Sequence, residues 1–197
     1  MNWSRSNPSP RYHQLISQYQ ELHREGDPKR DHKPEDVYPG ISLLPHIAAI
    51  RELVRASGAT TILDYGSGKG LQYGPHHCTV GGEEWDNLMD CWDVDYVHCY
   101  DPCHLPFSKL PEKRFGGVVT TDVLEHCPEE DLDWIVAEIF GYAEKFVFAS
   151  VSCRPAIRHL PNGENAHCTV RPPEWWRALF ERHAGASPGV LLRVVAS

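Results

Sequence analysis

The sequence predicts a three-layer α/β domain with a mostly parallel sheet, and three observations predict it. Short apolar runs of strand length recur at residues 60–63, 97–100, 115–121, 145–152 and 190–195. Stretches with apolar side chains three and four residues apart separate several of them, as helical crossovers between parallel strands require. The first run leads directly into Asp64-Tyr65-Gly66-Ser67-Gly68-Lys69-Gly70, an acid followed by three glycines at alternate positions. A buried strand that ends in such a turn brings main chain close to a ligand, because glycine has no Cβ and accepts positive φ.

The elements follow in order. Residues 1–10 are polar, carry two prolines and are expected to form a loose terminus. Residues 11–24 place Tyr12, Leu15, Ile16, Tyr19 and Leu22 at the spacing of an amphipathic helix that covers one edge of the core. Residues 26–36 are charged, contain Pro28 and Pro34, and read as a mobile connector. A periodic apolar run over 43–54 predicts the next helix, with Ser42 as its N-cap and Pro45 in its first turn. The free N–H groups of that helix start suit a carboxylate, with Tyr38 and Ser42 at the mouth.

Beyond the glycine turn, Gln72 and Tyr73 lie near enough to touch a ligand. Pro75, Gly81 and Gly82 then interrupt the helix expected there. Trp85, Leu88, Met89 and Trp92 resume helical spacing and read as core. The strand at 97–100 ends in Asp101-Pro102. The strand at 115–121 runs into Asp122, Glu125 and His126. A helix over 129–143 follows, its acids at 129–131 suiting the positive end of the helix dipole and its apolar face carrying Ile135, Val136, Ile139 and Phe140. After the strand at 145–152 comes a polar loop over 154–169 that holds Asn162-Gly163 and Asn165-Ala166-His167. Residues 173–183 read as a terminal helix with Trp176, Leu179 and Phe180 facing inward, before the last strand.

Composition narrows the function classes. At 197 residues the chain suits one domain with a sizeable core, and 41% hydrophobic with 23% charged residues is ordinary for a soluble protein. A net charge of -8 argues against a broad nucleic-acid footprint and favours a small-molecule substrate. No apolar run is long enough to span a membrane, and residues 1–5 lack a signal core, so a cytoplasmic location is expected. Oligomeric state has no signature in the sequence. Seven scattered cysteines, at 78, 91, 99, 103, 127, 153 and 168, read as reduced thiols. His76-His77-Cys78 and the group Cys99, Cys103 and His104 lack paired metal-ligand spacing, so no metal is expected.

The spacing G-x-G-x-G departs from the dinucleotide fingerprint G-x-G-x-x-G, and Asp101 comes later than the acid of a nicotinamide site. Residues 62–70 instead resemble motif I of class I S-adenosylmethionine (SAM) dependent methyltransferases. Tyr100-Asp101-Pro102 resembles their acidic second-strand end, and residues 116–126, which close with Asp122-Val123-Leu124-Glu125-His126, are similar to their fourth strand and following loop. The resemblance covers residues 60–152 and implies a Rossmann-like fold with a seven-stranded sheet. It divides one domain into a terminus with a helical lid, residues 1–36, and a core, residues 37–197. It implies SAM as the cofactor, Asp101 on both ribose hydroxyls, Pro102 beside the adenine, and the 122–126 loop shaping the pocket. Tyr12 and Tyr19 of the lid would offer aromatic faces to the sulfonium.

Expected cofactor-binding residues are therefore Tyr38, Ser42, Asp64, Gly66, Gly68, Gly70, Asp101, Pro102, Asp122 and Glu125. Asp64 either fixes the turn or attracts a cationic ligand. His126, Asn165 and His167 are the catalytic candidates, His126 as a general base or as packing under the methionyl arm. The leading expectation is methyl transfer from SAM to an oxygen or nitrogen of a small molecule. A second is chemistry on SAM itself, by cyclisation to azetidine-2-carboxylate or by a lyase reaction releasing methylthioadenosine, because a lid leaves little room for another substrate. A third is a catalytically silent SAM-binding module that serves a partner.

Overall fold

Five strands form a wholly parallel sheet in a computed structural model that describes residues 3–75 and 77–197. In chain order the elements are α1 (Pro10–Glu25), α2 (Ile47–Ser57), β1 (Thr61–Tyr65), β2 (Cys78–Val80), β3 (Glu83–Trp85), α3 (Leu88–Trp92), β4 (Tyr96–Tyr100), β5 (Phe115–Thr121), α4 (Leu132–Tyr142), β6 (Ala143–Val151), α5 (Pro173–Gly185) and β7 (Leu191–Ala196). The sheet order is β4-β1-β5-β6-β7. Chain order reverses at β1, which has β4 on one side and β5 on the other, and open α/β sheets bind ligands beyond such a switch point.

The expected strands are all present, but they do not make one sheet of seven. The chain has five strands in the central sheet and a separate two-stranded antiparallel hairpin, β2-β3. Gly81 and Gly82, at φ of 62° and 84°, turn the chain back on itself between β2 and β3. That tight turn is why residues 71–97 give a hairpin and the short α3 in place of a long crossover helix.

Alternation along each strand assigns the layers. Leu63, Val118 and Val147 face α4 and α5, where they pack with Ile135, Phe140, Trp176 and Phe180. Ile62, Val119, Phe146 and Phe148 face the other way, against Ile50 of α2 and Trp92 of α3. All seven positions of β5 are buried, as expected of a central parallel strand covered on both faces. Gly117 is required there by packing, since a Cβ would sit 2.1 Å from the Phe146 ring.

A third cluster sets α1 over the carboxyl edge of the sheet. Leu15, Tyr19 and Leu22 pack on Val37, and on Leu160 and Ala166 of the loop that follows β6. The terminus before α1 is not loose. Ser9 caps α1, and its N–H and hydroxyl both donate to the buried Asp131 carboxylate, at 3.0 and 2.5 Å. Arg5 pairs with Glu138 and donates to the Tyr65 hydroxyl at 2.9 Å. Residues 26–36 form two 3-10 turns, with Asp27 buried 3.4 Å from Arg158, in place of a mobile connector.

Ser42 does not cap α2. It lies inside a 3-10 turn, Ile41–His46, that begins at Gly40 with φ of 101° and has no side-chain cap. The seven cysteines are free thiols. Among the described residues, no helix is long and apolar enough to cross a membrane.

Candidate functional site

A cavity of about 710 Å³ opens at the carboxyl ends of β1, β4, β5 and β6, with α1 as its roof. That size suits a single small organic ligand. Tyr12, Leu15, Ile16, Tyr19 and His23 line the roof along one face of α1. Of the residues expected to bind cofactor, Tyr38, Ser42, Gly66, Gly68, Asp101, Pro102 and Asp122 line the cavity, and so do His126 and His167. Asp64, Gly70, Glu125 and Asn165 do not, and each has a visible structural task.

Asp64 is buried under the glycine turn, where its Oδ2 accepts from Gln72 Nε2 at 2.9 Å and the Tyr73 hydroxyl at 2.8 Å. It fixes the turn, and Gln72 and Tyr73 serve it in place of touching a ligand. Burial is the main cause that pushes its carboxyl up to about 7, with Asp101 adding to the rise. Gly70 backs onto Cys99 and Phe107, away from the cavity. Glu125 is fully buried beneath the floor, where its Oε1 accepts from the Ser152 N–H at 2.5 Å. Asn165 closes on main chain: its Oδ1 accepts from Ala156 and His167 N–H groups, and its Nδ2 donates to the Ala156 carbonyl. It shapes the loop that presents His167.

The glycine turn serves the chain itself as well as the cavity. A Cβ on Gly68, at φ of 59°, would lie 2.2 Å from the Tyr38 carbonyl oxygen. A Cβ on Gly66, at φ of 89°, would lie 2.3 Å from the Val123 side chain. Lys69 and Leu71 N–H groups donate to the carbonyls of Tyr38 and Pro39, which seats residues 38–40 on the turn. Tyr38 itself has φ of 50°, and its buried hydroxyl has no hydrogen-bond partner among the described residues.

Asp101 closes β4 and accepts three backbone N–H bonds. Gly68 reaches Oδ2 at 2.9 Å, while Cys103 and His104 reach Oδ1 at 2.8 and 3.2 Å. A carboxylate offers about four acceptor sites, so roughly one remains, on Oδ2. Asp101 therefore keeps about one acceptor site for a ligand hydroxyl in this arrangement. Burial raises its carboxyl above the usual range, against the pull of these N–H groups and Lys69.

On the opposite rim, β5 ends at Asp122, which holds φ of 59°. His126 follows in the turn after it, and His167 arrives on the loop from β6 with its ring centroid 4.7 Å from that of His126. The Ala166 carbonyl lies 3.0 Å from His126 Nδ1, and the Arg154 carbonyl 2.6 Å from His167 Nδ1. The Arg154 carbonyl only accepts, so His167 donates from Nδ1, whereas His126 Nδ1 also lies 2.8 Å from the Tyr19 hydroxyl, which can donate either to that nitrogen or to the Ala166 carbonyl. Burial, then the neighbouring His167, lowers His126 to about 4, which keeps it neutral. One ligand atom from each of Asp122, His126 and His167 lies within 4.8 Å of the others. This is the group among the described residues that brings metal-ligating side chains together, and the fold forms it from residue 167 and the distant pair 122 and 126.

Two further lining residues escaped the sequence reading. His23 continues the stripe of Tyr12, Ile16 and Tyr19, and that spacing was its signal. Burial, Lys69 and His104 hold it down at about 3. Arg158 sets its guanidinium 4.8 Å over the Tyr38 ring, and nothing in the local sequence marked it. In comparison with known proteins, the chain matches no family model, no curated protein and no solved structure.

Proposed function

We propose that this protein is a SAM-dependent methyltransferase with a Rossmann-like fold, acting on a small-molecule oxygen or nitrogen nucleophile. The observation that carries the reading is the position of the cavity. It lies beyond the switch point of a parallel sheet, rimmed by Gly66 and Gly68 at the end of β1 and by Asp101 at the end of β4. The residues fit the cofactor. Two glycines leave main chain bare along the rim, Asp101 keeps one acceptor site for a ribose hydroxyl, and the Tyr19 and Tyr38 rings suit a sulfonium cation.

Bound SAM supplies a methyl group activated by its positive sulfur. The protein's part is to hold and orient. Arg158 and Arg154, both on the cavity wall, offer positive charge to the carboxylate of the methionyl arm. The roof of α1 keeps water from the reacting centre, and His126 and His167 present ring nitrogens on the side where a nucleophile has to approach. In-line methyl transfer depends chiefly on such proximity and orientation.

Calorimetric titration of the full chain with SAM and with S-adenosylhomocysteine tests the reading. Saturable binding of both is expected, weakened at least ~10-fold in Asp101→Asn, since one charge-assisted hydrogen bond contributes about 1.5–3 kcal/mol. Absence of binding by either ligand would overturn it. Mass spectrometry of SAM incubated with the protein alone separates the two chemistries: methylthioadenosine as product means that SAM is the substrate, and intact SAM directs the work to acceptors.

A further inference from the structure

We propose that Asp122, His126 and His167 bind a divalent transition-metal ion on the cavity wall, with coordination positions left open toward the cavity. Two imidazoles and one carboxylate are a donor set that favours ions such as Co²⁺, Zn²⁺, Mn²⁺ or Fe²⁺ over Ca²⁺, which takes oxygen ligands.

Three observations carry this beyond a chance cluster. The ligand atoms converge: one from each residue lies within 4.8 Å of the other two. An ion held at ~2.0–2.2 Å from each would draw them to about 3–3.5 Å. The movement falls on His167, which is half-buried on a loop outside helices and strands.

The second observation is the anchoring of the two rings. His167 donates its Nδ1–H to the Arg154 carbonyl at 2.6 Å, and His126 Nδ1 sits between the Tyr19 hydroxyl at 2.8 Å and the Ala166 carbonyl at 3.0 Å. Anchoring of the distal ring nitrogen by a carbonyl is the usual support of a metal-bound histidine. The Tyr19 hydroxyl, 2.8 Å from both His126 Nδ1 and the Ala166 carbonyl, holds that ring from the roof.

The third observation concerns access. Asp122 is exposed at the end of β5, and it lines the cavity together with both histidines. Asp122 reaches the site through a left-handed φ of 59°, a conformation that Asp tolerates better than most residues.

Metal binding stands apart from the methyl-transfer reading. Its consequence for that reading rests on it: an open position facing the cavity suits an oxygen ligand, which narrows the acceptor to a hydroxyl. With an ion present, the ring nitrogens that coordinate it do not serve as the base.

The test is a titration of the full chain with Co²⁺, after chelator treatment and dialysis and without SAM, followed by visible d–d absorption and elemental analysis. One Co²⁺ per chain is expected, with affinity reduced at least ~10-fold in His167→Ala and in Asp122→Asn. Both changes should leave the fold intact by circular dichroism, since His167 is half-buried on a loop and Asn also accepts the left-handed φ. Failure to bind Co²⁺, binding that both variants leave unchanged, or a near-ultraviolet thiolate band showing that cysteines hold the ion would each overturn the proposal. Because SAM is absent, a negative result here leaves the SAM isotherm to decide the methyltransferase reading separately.

Discussion

The two rims of the cavity contrast in how far their polar groups are already committed. On the glycine rim, Asp101 has three of its acceptor sites filled by main chain, and Gly66 and Gly68 make room for Val123 and Tyr38. On the histidine rim, Asp122, His126 and His167 bring one ligand atom each within 4.8 Å of the others, and Asp122 is exposed. The glycine rim is thus tied into the fold by main chain, and the histidine rim gathers side chains from two separate stretches of sequence. A glycine pattern reports close approach of backbone to something, and here part of that something is the chain's own residues 38–40.

The sharpest way to break this contrast is to compare stability on the two sides. Gly68→Ala adds a Cβ against the Tyr38 carbonyl at positive φ, and we expect a loss of about 3 kcal/mol in urea unfolding. His167→Ala, with a half-buried ring on a loop, should cost under about 1 kcal/mol. Equal losses would mean that the histidine rim is as structural as the turn. Gly66→Ala sharpens the point, because its clash is with a side chain. Val123→Ala should restore part of the loss in the double variant, where no side chain change can relieve the Gly68 clash with a carbonyl.

A second comparison uses pH. Asp64, raised to about 7 by burial, stabilises the fold while protonated. Its contribution is full below the unfolded carboxylate range near 4 and is lost as pH rises through about 7. His23, on the roof and lowered to about 3, acts in the opposite sense: stability is full above the unfolded value near 6.5 and falls as pH drops toward 3. Lys69 and His104 face His23, and Asp101 faces Asp64, so these partners stay unchanged in the test. Unfolding midpoints between pH 4 and 7.5 should lose their decline toward high pH in Asp64→Asn and their decline toward low pH in His23→Gln. If neither slope moves, both groups titrate normally.

The smallest expected effect lies in the roof. Tyr19→Phe removes the hydroxyl that lies 2.8 Å from both His126 Nδ1 and the Ala166 carbonyl and should cost about 1 kcal/mol, with Co²⁺ affinity falling a few-fold. An unchanged Co²⁺ isotherm would show that the Ala166 carbonyl holds His126 without help from α1.

Much of the architecture was legible because it rests on local pattern. Apolar alternation and run length located β1, β4, β5, β6 and β7 to within two residues, and the spacing of Tyr12, Leu15, Tyr19 and Leu22 located α1. The expected sheet of seven strands failed at Gly81-Gly82, where positive φ closes a hairpin away from the sheet. Site residues followed the same division. Asp101, Gly66 and Gly68 border the cavity as expected of strand ends, whereas the inward or downward turn of Asp64, Glu125 and Asn165 depends on partners such as Gln72, Ser152 and Ala156. Those partnerships are tertiary, and the pairing of residue 167 with 122 and 126 is too.

The anchoring of the terminus bears on the order in which the molecule is made. Ser9 and Arg5 find their partners at Asp131 and Glu138, more than a hundred residues further on. During synthesis α1 emerges early with only the neighbouring Val37 to pack on, and its partners in α4 and in the loop after β6 come much later, so the roof is among the last parts to close. A nascent chain therefore passes through a stage in which the sheet exists and its carboxyl edge lies open to solvent.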